Sequence, residues 1–413
     1  MMQMPPRALG PNSQLVFVLV LALTIGSMSF DQCSVGFLLP FMRKDFDISP
    51  SQIGLVASLY WVTFSIGSYC AGNFASRTQS LKRLLSIVTF SFGLCSLLSA
   101  AAHSSISLAI VRGVAGAMGG ALLTLIQAYL SLASPPEKIG VNMGLVTGFG
   151  GSFFGQVFAP IALVAVASSF GWRMGYALIF ALAFLAASLV AGVLVGPARS
   201  GSANSPREIP SEKRRKFSAL EEILSGKNVL ICIVMCALYV SYLGIGLTFI
   251  PSFLVEYRHF SSQEMSYLMA SLGASSIIFT IILPPISNKV GRKPVLIAAS
   301  LASVLTPLAV CFYHGSSILL GILMFFGWTF SGSGPFSMGI IPSESVDSDR
   351  LTRVLGLIIS LGVLAGGLLG PSFAGWGAEH WGARAPLLIL AGCAACAALM
   401  ACALKETAPR ALA

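Results

Sequence analysis

Asp31 and Arg112 are set apart by their position. The chain carries 25 Lys and Arg and 15 Asp and Glu, and of these only Asp31 and Arg112 fall deep within long apolar runs. A charge at the centre of a bilayer costs a few kcal/mol or more, so a residue of this kind faces a cavity and a partner. A carboxylate and a guanidinium so placed can do proton or cation chemistry. Asp31 would be the proton or cation site, and Arg112 would tune it or hold an anionic substrate. The alternative is structural: a fixed Asp31–Arg112 bridge that ties the first and fourth runs together.

Six further residues are polar or aromatic at positions expected to face a central cavity: Gln32, Tyr60, Gln127, Gln156, Tyr242 and Trp328. They are candidate contacts for a small solute. Tyr60 and Trp328 suit packing or an interfacial belt equally well, since an aromatic ring with one polar atom serves either setting. Other chemistries find little support. His103, His259, His314 and His380 lie near exterior loops without metal-ligand spacing. The nine cysteines all fall in apolar runs, so no disulfide framework is implied, and Cys393 with Cys396 lacks the second pair a zinc site needs. No Gly-Lys-Ser/Thr phosphate loop occurs, and no polar segment is long enough for a catalytic domain. The expectation is a chain that is not an enzyme and uses no cofactor or metal.

The elements that position these residues are membrane helices. The 413 residues are 55% apolar and 10% charged, with a mean hydropathy of +0.84, whereas soluble domains are about 25% charged. A hydrocarbon core about 30 Å thick needs roughly 20 apolar residues of helix, because no lipid-exposed backbone group can stay unpaired there. Twelve such runs are expected, near 15–42, 52–76, 82–102, 105–132, 140–168, 174–197, 228–254, 263–287, 294–312, 317–342, 355–378 and 385–404. The first is too long for a signal peptide and lacks a small-residue cleavage site, so it reads as a retained helix.

With both termini inside, the outside holds only Arg43, Lys44, Arg173, Arg258 and Arg384. Every other Lys and Arg except Arg112 falls inside. That asymmetry is the positive-inside rule, and it accounts for the net charge of +10 without a nucleic-acid partner. The one long polar stretch, 198–227, contains Lys213-Arg214-Arg215-Lys216 and reads as a cytoplasmic linker, its basic run either touching anionic lipid or fixing topology. It divides an N-terminal six-helix half, 1–197, from a C-terminal six-helix half, 228–413.

The two halves repeat each other. Phe37-Leu38-Leu39-Pro40 followed by Asp45-Phe46 corresponds to Thr248-Phe249-Ile250-Pro251 followed by Glu256-Tyr257. Gly155, Ala159, Pro160 and Trp172-Arg173 correspond to Gly366, Gly370, Pro371 and Trp381 with Arg384, and Tyr242 stands at roughly the repeat position of Asp31. Parallel six-helix repeats place a binding site near the midplane, exposed alternately as one half rocks on the other.

Pro284-Pro285-Ile286-Ser287-Asn288-Lys289-Val290-Gly291-Arg292-Lys293, between the eighth and ninth runs, resembles the short-loop signature of the major facilitator superfamily, with Asn288 where that family has Asp. Its first-half counterpart runs from Gly72 to Arg77 and then Lys82-Arg83, with Ser76 at the acidic position. Arg112 followed by Gly116, Gly119 and Gly120 is similar to the arginine-plus-glycine motif of the fourth helix. The resemblance implies an all-α membrane protein of twelve transmembrane helices in two pseudo-symmetric halves. It also implies an inner gate at Arg77, Asn288, Lys289, Gly291 and Arg292, and it allows Arg112 a purely architectural role. Mixed charges at Glu344, Asp347, Asp349, Arg350 and Arg353 are either part of that latch or a solvated turn.

Within the superfamily, Phe30-Asp31 to Pro40, Tyr60-Trp61, Gly171-Trp172-Arg173 and Ile341-Pro342-Ser343-Glu344-Ser345 look most like the organic anion:proton symporter branch. That branch carries Arg after the Asp and an acid further along the fourth helix; in this chain the positions are Gln32 and Gly119. The implied function is secondary active, proton-coupled alternating access for a small organic solute, an organic anion or carboxylate, with a proton or other monovalent cation. The setting is a multi-pass chain in the cytoplasmic (plasma or inner) membrane, both termini cytoplasmic, surrounded by lipid and monomeric. The alternatives are a proton-coupled exporter of drugs or metabolites, whose relatives carry a fuller glycine motif than Ala159-Pro160-Ile161-Ala162-Leu163-Val164, and a non-transporting sensor.

Overall fold

The computed structural model describes residues 11–43, 45, 47–77, 80–134, 138–194, 226–346 and 348–408. Among them are twelve helices long and apolar enough to cross a membrane, and no strand. They are α1 (Gln14–Met42), α2 (Pro50–Gly72), α3 (Leu81–Ser99), α4 (Ser105–Ala133), α5 (Val141–Phe170), α6 (Trp172–Gly192), α7 (Lys227–Glu256), α8 (Ser262–Val290), α9 (Arg292–Phe312), α10 (Ser317–Ser345), α11 (Arg353–Trp381) and α12 (Ala385–Ala403). Successive helices run antiparallel, so one end of the bundle carries Gln14 and Ala403, and the far end carries Met42 and Glu256. The fold is the expected one, two six-helix halves. Most of the linker lies outside the described residues, as does the side chain of Arg77.

Within each half, small residues set the packing. A Cβ on Gly116 or Gly120 of α4 would stand 2.3 Å from the Tyr60 carbonyl oxygen or 1.9 Å from that of Phe64, both on α2. In the second half a Cβ on Gly366 would lie 2.2 Å from the carbonyl oxygen of Ala237. Without a hydrophobic drive between helices in lipid, such close backbone approach supplies the packing contacts that hold a bundle together.

The halves meet along three seams toward the far end. α1 lies on α7, where a Gly36 Cβ would be 2.0 Å from the Leu247 carbonyl oxygen. α2 lies on α11, with Ser58 Oγ donating to the Leu368 carbonyl at 2.9 Å and Ser372 Oγ 2.8 Å from Ser58 Oγ. α5 lies on α8, its backbone at Gln156 riding on Gly273.

Three helices are irregular where they pass the middle of the bundle. α5 contains two π-helical stretches, Gly144–Gly150 and Phe153–Phe158. α9 breaks at Ser303, and α10 breaks at Gly327 into a tight 3-10 stretch, Thr329–Ser333, followed by a π-helical one, Phe336–Ile340. Irregular backbone at membrane depth persists only where protein groups satisfy it. Tyr242 of α7 brings one hydroxyl proton that the carbonyls at the two breaks share. Its hydroxyl lies 3.0 Å from the Ser303 carbonyl and 3.2 Å from that of Gly327.

Candidate functional site

Asp31 and Arg112 are brought together. Asp31 is fully buried and Arg112 is 1% exposed. Arg112 Nη1 donates to Asp31 Oδ1 and Oδ2, each at 2.8 Å, and Nη2 donates to the Asp31 backbone carbonyl at 3.1 Å. Ser96 of α3 donates its hydroxyl to Oδ1 at 2.6 Å. A carboxylate accepts two hydrogen bonds per oxygen without strain, so three helices of one half converge on a single side chain. The guanidinium carbon stands 4.9 Å from the centre of the Tyr60 ring, a cation–π placement. Arg112 Nε and the Tyr60 hydroxyl, both buried, have no hydrogen-bond partner.

Beside this pair opens a cavity of about 190 Å³. It is lined from the first half by Ser29, Gln32, Tyr60, Trp61, Arg112, Thr147 and Gln156 among others, and from the second by α7, through Leu243, Gly244, Leu247 and Thr248. Arg112 therefore shows one edge to Asp31 and another to the cavity, while Asp31 stands behind it. Of the expected solute contacts, Gln32, Tyr60 and Gln156 line the cavity. Gln127 is exposed on α4 and does not. Tyr242 and Trp328 are fully buried in the packing of the second half, their ring centroids 4.6 Å apart, and Trp328 presses on Gly246. The broken backbone of α9 and α10 keeps them there, a feature the apolar pattern of those runs does not announce.

Gln156 also reaches the other half. Ser276 Oγ of α8 lies 2.7 Å from its Oε1 and 2.9 Å from Ser331 Oγ of α10, and Ser331 in turn donates to the Trp328 carbonyl at 2.6 Å. Nothing in the sequence sets Ser96, Ser276 and Ser331 apart. A serine in an apolar helix is too common to signal a site unless its partner is already known.

At the far end, Arg43 of the first half forms an ion pair with Glu256 of the second. Nearby, Asp45 accepts hydrogen bonds from Trp172 Nε1, at 2.9 Å, and from the Arg173 guanidinium. These bonds, Trp172 first, hold the Asp45 carboxyl below the usual carboxylate range.

At the end that bears the termini, the loop motif is anchored within its own half. Gly291 has φ +114°, a left-handed geometry suited to glycine, and a Cβ there would lie 2.7 Å from Glu406 Oε2. Glu406 accepts from the backbone N–H of Arg292 at 2.8 Å and of Lys293 at 3.1 Å, capping the start of α9. Arg292 is 6% exposed; its Nη2 donates to Glu344 Oε1 at 2.7 Å, and Nη1 donates to Ser287 Oγ. Thr407 Oγ1 donates to Glu344 Oε2 at 2.6 Å. Asn288 and Lys289 are exposed. The acids that hold Arg292 and the helix start are thus Glu344 and Glu406, which the motif position at Asn288 does not supply. Glu344 belongs to the mixed-charge segment of the sequence, whereas Glu406, far along the chain, gave no signal.

Comparison with known proteins comes to the same architecture. The sequence model described as Major Facilitator Superfamily matches residues 17–358 and 247–412. The chain is 25% identical over 377 residues to a hexuronate transporter of Bacillus subtilis (strain 168), covering 88% of this chain and 87% of that one. It is 28% identical over 203 residues to the multi-drug resistance efflux pump PmrA of Streptococcus pneumoniae serotype 4, covering 48% of this chain and 47% of the pump. Among solved structures, a D-xylose–proton symporter superposes with a TM-score of 0.75 at 18% identity, covering 95% of this chain and 98% of that one.

Proposed function

The chain belongs to the major facilitator superfamily, and from that premise we propose that it is a proton-coupled symporter for a small organic anion, a carboxylate, working by alternating access. A multi-pass membrane carrier of small organic solutes is what the family and the twelve helices give. The carboxylate and the proton are the step beyond.

The observation that carries the reading is the placement of Arg112 between Asp31 and the cavity. With Asp31 ionised, Arg112 is neutralised by it and the site holds no net charge. A proton delivered to Asp31 removes that neutralising charge, and Arg112 becomes a free cation facing the cavity, ready for a carboxylate. Loss of the proton restores the pair and expels the anion. Coupling follows from one cation having two mutually exclusive anionic partners. Gln32, Tyr60 and Gln156, with Thr147 and Ser29, supply polar contacts around a volume that suits a single-ring acid. Similarity to a hexuronate transporter across most of both chains supports the same substrate class.

Both termini lie in the cytoplasm on this reading, as the distribution of Lys and Arg favours. The far end, where the seams are, is then exterior. Arg292 with Glu344 and Glu406, together with Arg77, Asn288, Lys289 and Gly291, forms the inner gate, and a monomer in lipid is sufficient. A second reading, proton-coupled export, is supported by the likeness of about half the chain to a drug efflux pump.

The test is uptake by proteoliposomes of a panel of labelled mono- and dicarboxylates, with and without an inward proton gradient, comparing the native chain with Asp31→Asn. Gradient-driven accumulation lost in the variant supports the reading. Movement of hydrophobic or cationic compounds with no acid accumulated would favour export.

A further inference from the structure

The cluster around Gln156 is short of protons. Ser276 Oγ has three oxygen neighbours, Gln156 Oε1 at 2.7 Å, Leu272 O at 3.0 Å and Ser331 Oγ at 2.9 Å, and Ser331 Oγ is 2.6 Å from Trp328 O. Two hydroxyls bring two protons to these four contacts. The shortest, to the Trp328 carbonyl, takes the Ser331 proton, which leaves Ser276 one proton for three oxygens. Ser276 and Ser331 are 3% and 4% exposed, so unpaired oxygens pressed together there are costly.

The oxygen and nitrogen of a glutamine amide have nearly the same shape, and the surrounding hydrogen bonds decide which way it lies. Turned over, Gln156 donates Nε2–H to Ser276 and supplies the third proton. Ser276 then accepts from Gln156 and keeps its own proton for Leu272 or Ser331. The same rotation points Oε1 at the cavity that Gln156 lines. Two more features place the side chain at this seam. Gln156 sits on a π-helical stretch, where side chains leave the regular helical rows, and its backbone is seated against Gly273 with no room for a Cβ.

We propose that Ser276 of the second half locks the Gln156 amide with its oxygen toward the cavity, making Gln156 a specificity-determining residue that demands a hydroxyl or amino proton on the solute in addition to its acid group. The inference rests on the anion reading only for that acid group. A bare acid leaves the Gln156 oxygen buried and unpaired, which is the strongest form of discrimination a binding site has. The selecting residue belongs to one half and its lock to the other, so the preference exists only while α5 and α8 are seated together.

Equilibrium binding of three labelled six-membered-ring probes tests this: glucuronate, with acid and hydroxyls; cyclohexanecarboxylate, with the acid alone; and glucose, with hydroxyls alone. The native chain is expected to favour glucuronate over cyclohexanecarboxylate by about tenfold or more, the effect of one buried hydrogen bond left unmade. In Ser276→Ala the amide is free to turn and the ratio falls to about two- or threefold. Gln156→Leu loses the preference while still binding cyclohexanecarboxylate, and Ser331→Ala, which leaves the Gln156–Ser276 pair in place, retains it. Equal binding of the two acids by the native chain, or a preference unchanged in both Ser276→Ala and Gln156→Leu, overturns the proposal and leaves the anion reading intact. Binding of glucose as tight as glucuronate, with the same dependence on Ser276, would sink the anion reading and leave Gln156 as the selecting residue for solute hydroxyls.

Discussion

Arg112 Nη1 stands 2.8 Å from both carboxylate oxygens of Asp31, and its Nε is buried without a partner. Asp31 thus engages two of the three guanidinium nitrogens, and stability and transport can be separated by choosing which member of the pair to change. Removing one partner of a buried ion pair costs roughly 3–5 kcal/mol. Arg112→Met is therefore expected to lower the melting temperature in detergent markedly. Adding Asp31→Asn recovers part of the loss, because the stranded charge is gone. A double variant melting below the single one would count against the pair as drawn.

Transport should divide differently. Asp31→Asn keeps a hydrogen-bonding group beside Arg112 but cannot cycle a proton. It is expected to abolish accumulation against a gradient while solute-for-solute exchange across proteoliposomes persists. Loss of exchange together with accumulation would mean that Asp31 serves only to hold α1 and α4 together.

Gly36 has no space for a methyl group where α1 crosses α7, a Cβ falling 2.0 Å from the Leu247 carbonyl oxygen. Gly36→Ala should wedge the far-end seam, an overpacking cost of roughly 1–3 kcal/mol that opening relieves. Cys33, which lines the cavity, reports it. With the other cysteines replaced, a membrane-impermeant maleimide added at the far end should label Cys33 several-fold faster in Gly36→Ala. An unchanged rate would show that the seam yields without opening.

The Arg43–Glu256 pair joins the halves with side chains 28% and 23% exposed. Partial solvent screening limits it, so a double-mutant cycle of Arg43→Ala and Glu256→Ala should give a coupling of about 1 kcal/mol or less. Its signature lies in direction: either single variant should raise the far-end labelling of Cys33, and the exchanged pair Arg43→Glu with Glu256→Arg should restore the native rate.

Glu406 supplies a pH dependence whose sign is fixed. Partial burial works to raise its carboxyl, but the backbone N–H groups of Ala408, Arg292, Lys293 and Thr407 outweigh burial and hold it below the usual carboxylate range. A depressed acid stabilises the folded form above its unfolded value and loses that contribution as pH falls through the folded one. The melting-temperature difference between the native chain and Glu406→Gln should therefore be constant near neutrality and shrink below about pH 4.5. A difference that grows on acidification would exclude Glu406 as the cap of α9.

Apolar run length and the scarcity of charge made the twelve helices and the Asp31–Arg112 pair legible, since each rests on a penalty that water and lipid impose on any sequence. Gln32 and Tyr60 lie on the cavity because regular helices carry them to the same depth as that pair, whereas Gln156 reaches it from a π-helical stretch of α5. Tyr242 sits at the matching depth in the second half yet turns inward to the broken backbone of α9 and α10. No residue type announces those breaks, because Ser303 and Gly327 are ordinary in membrane helices. Glu406 illustrates the other limit: a cap recruited from far along the chain is invisible until folding brings it to Gly291.

The neutral pairing of Asp31 with Arg112 has an electrical consequence. An empty carrier returns with both charges cancelled, and one loaded with a proton on Asp31 and a monoanion on Arg112 is neutral at the site as well. Neither crossing moves net charge through the field, so the roughly 2.3 kcal/mol per charge that 100 mV provides is not harvested. For a monoanion, the steady accumulation should follow the pH difference alone and stay the same when a potassium diffusion potential is imposed; a dianion would carry current outward against its own uptake.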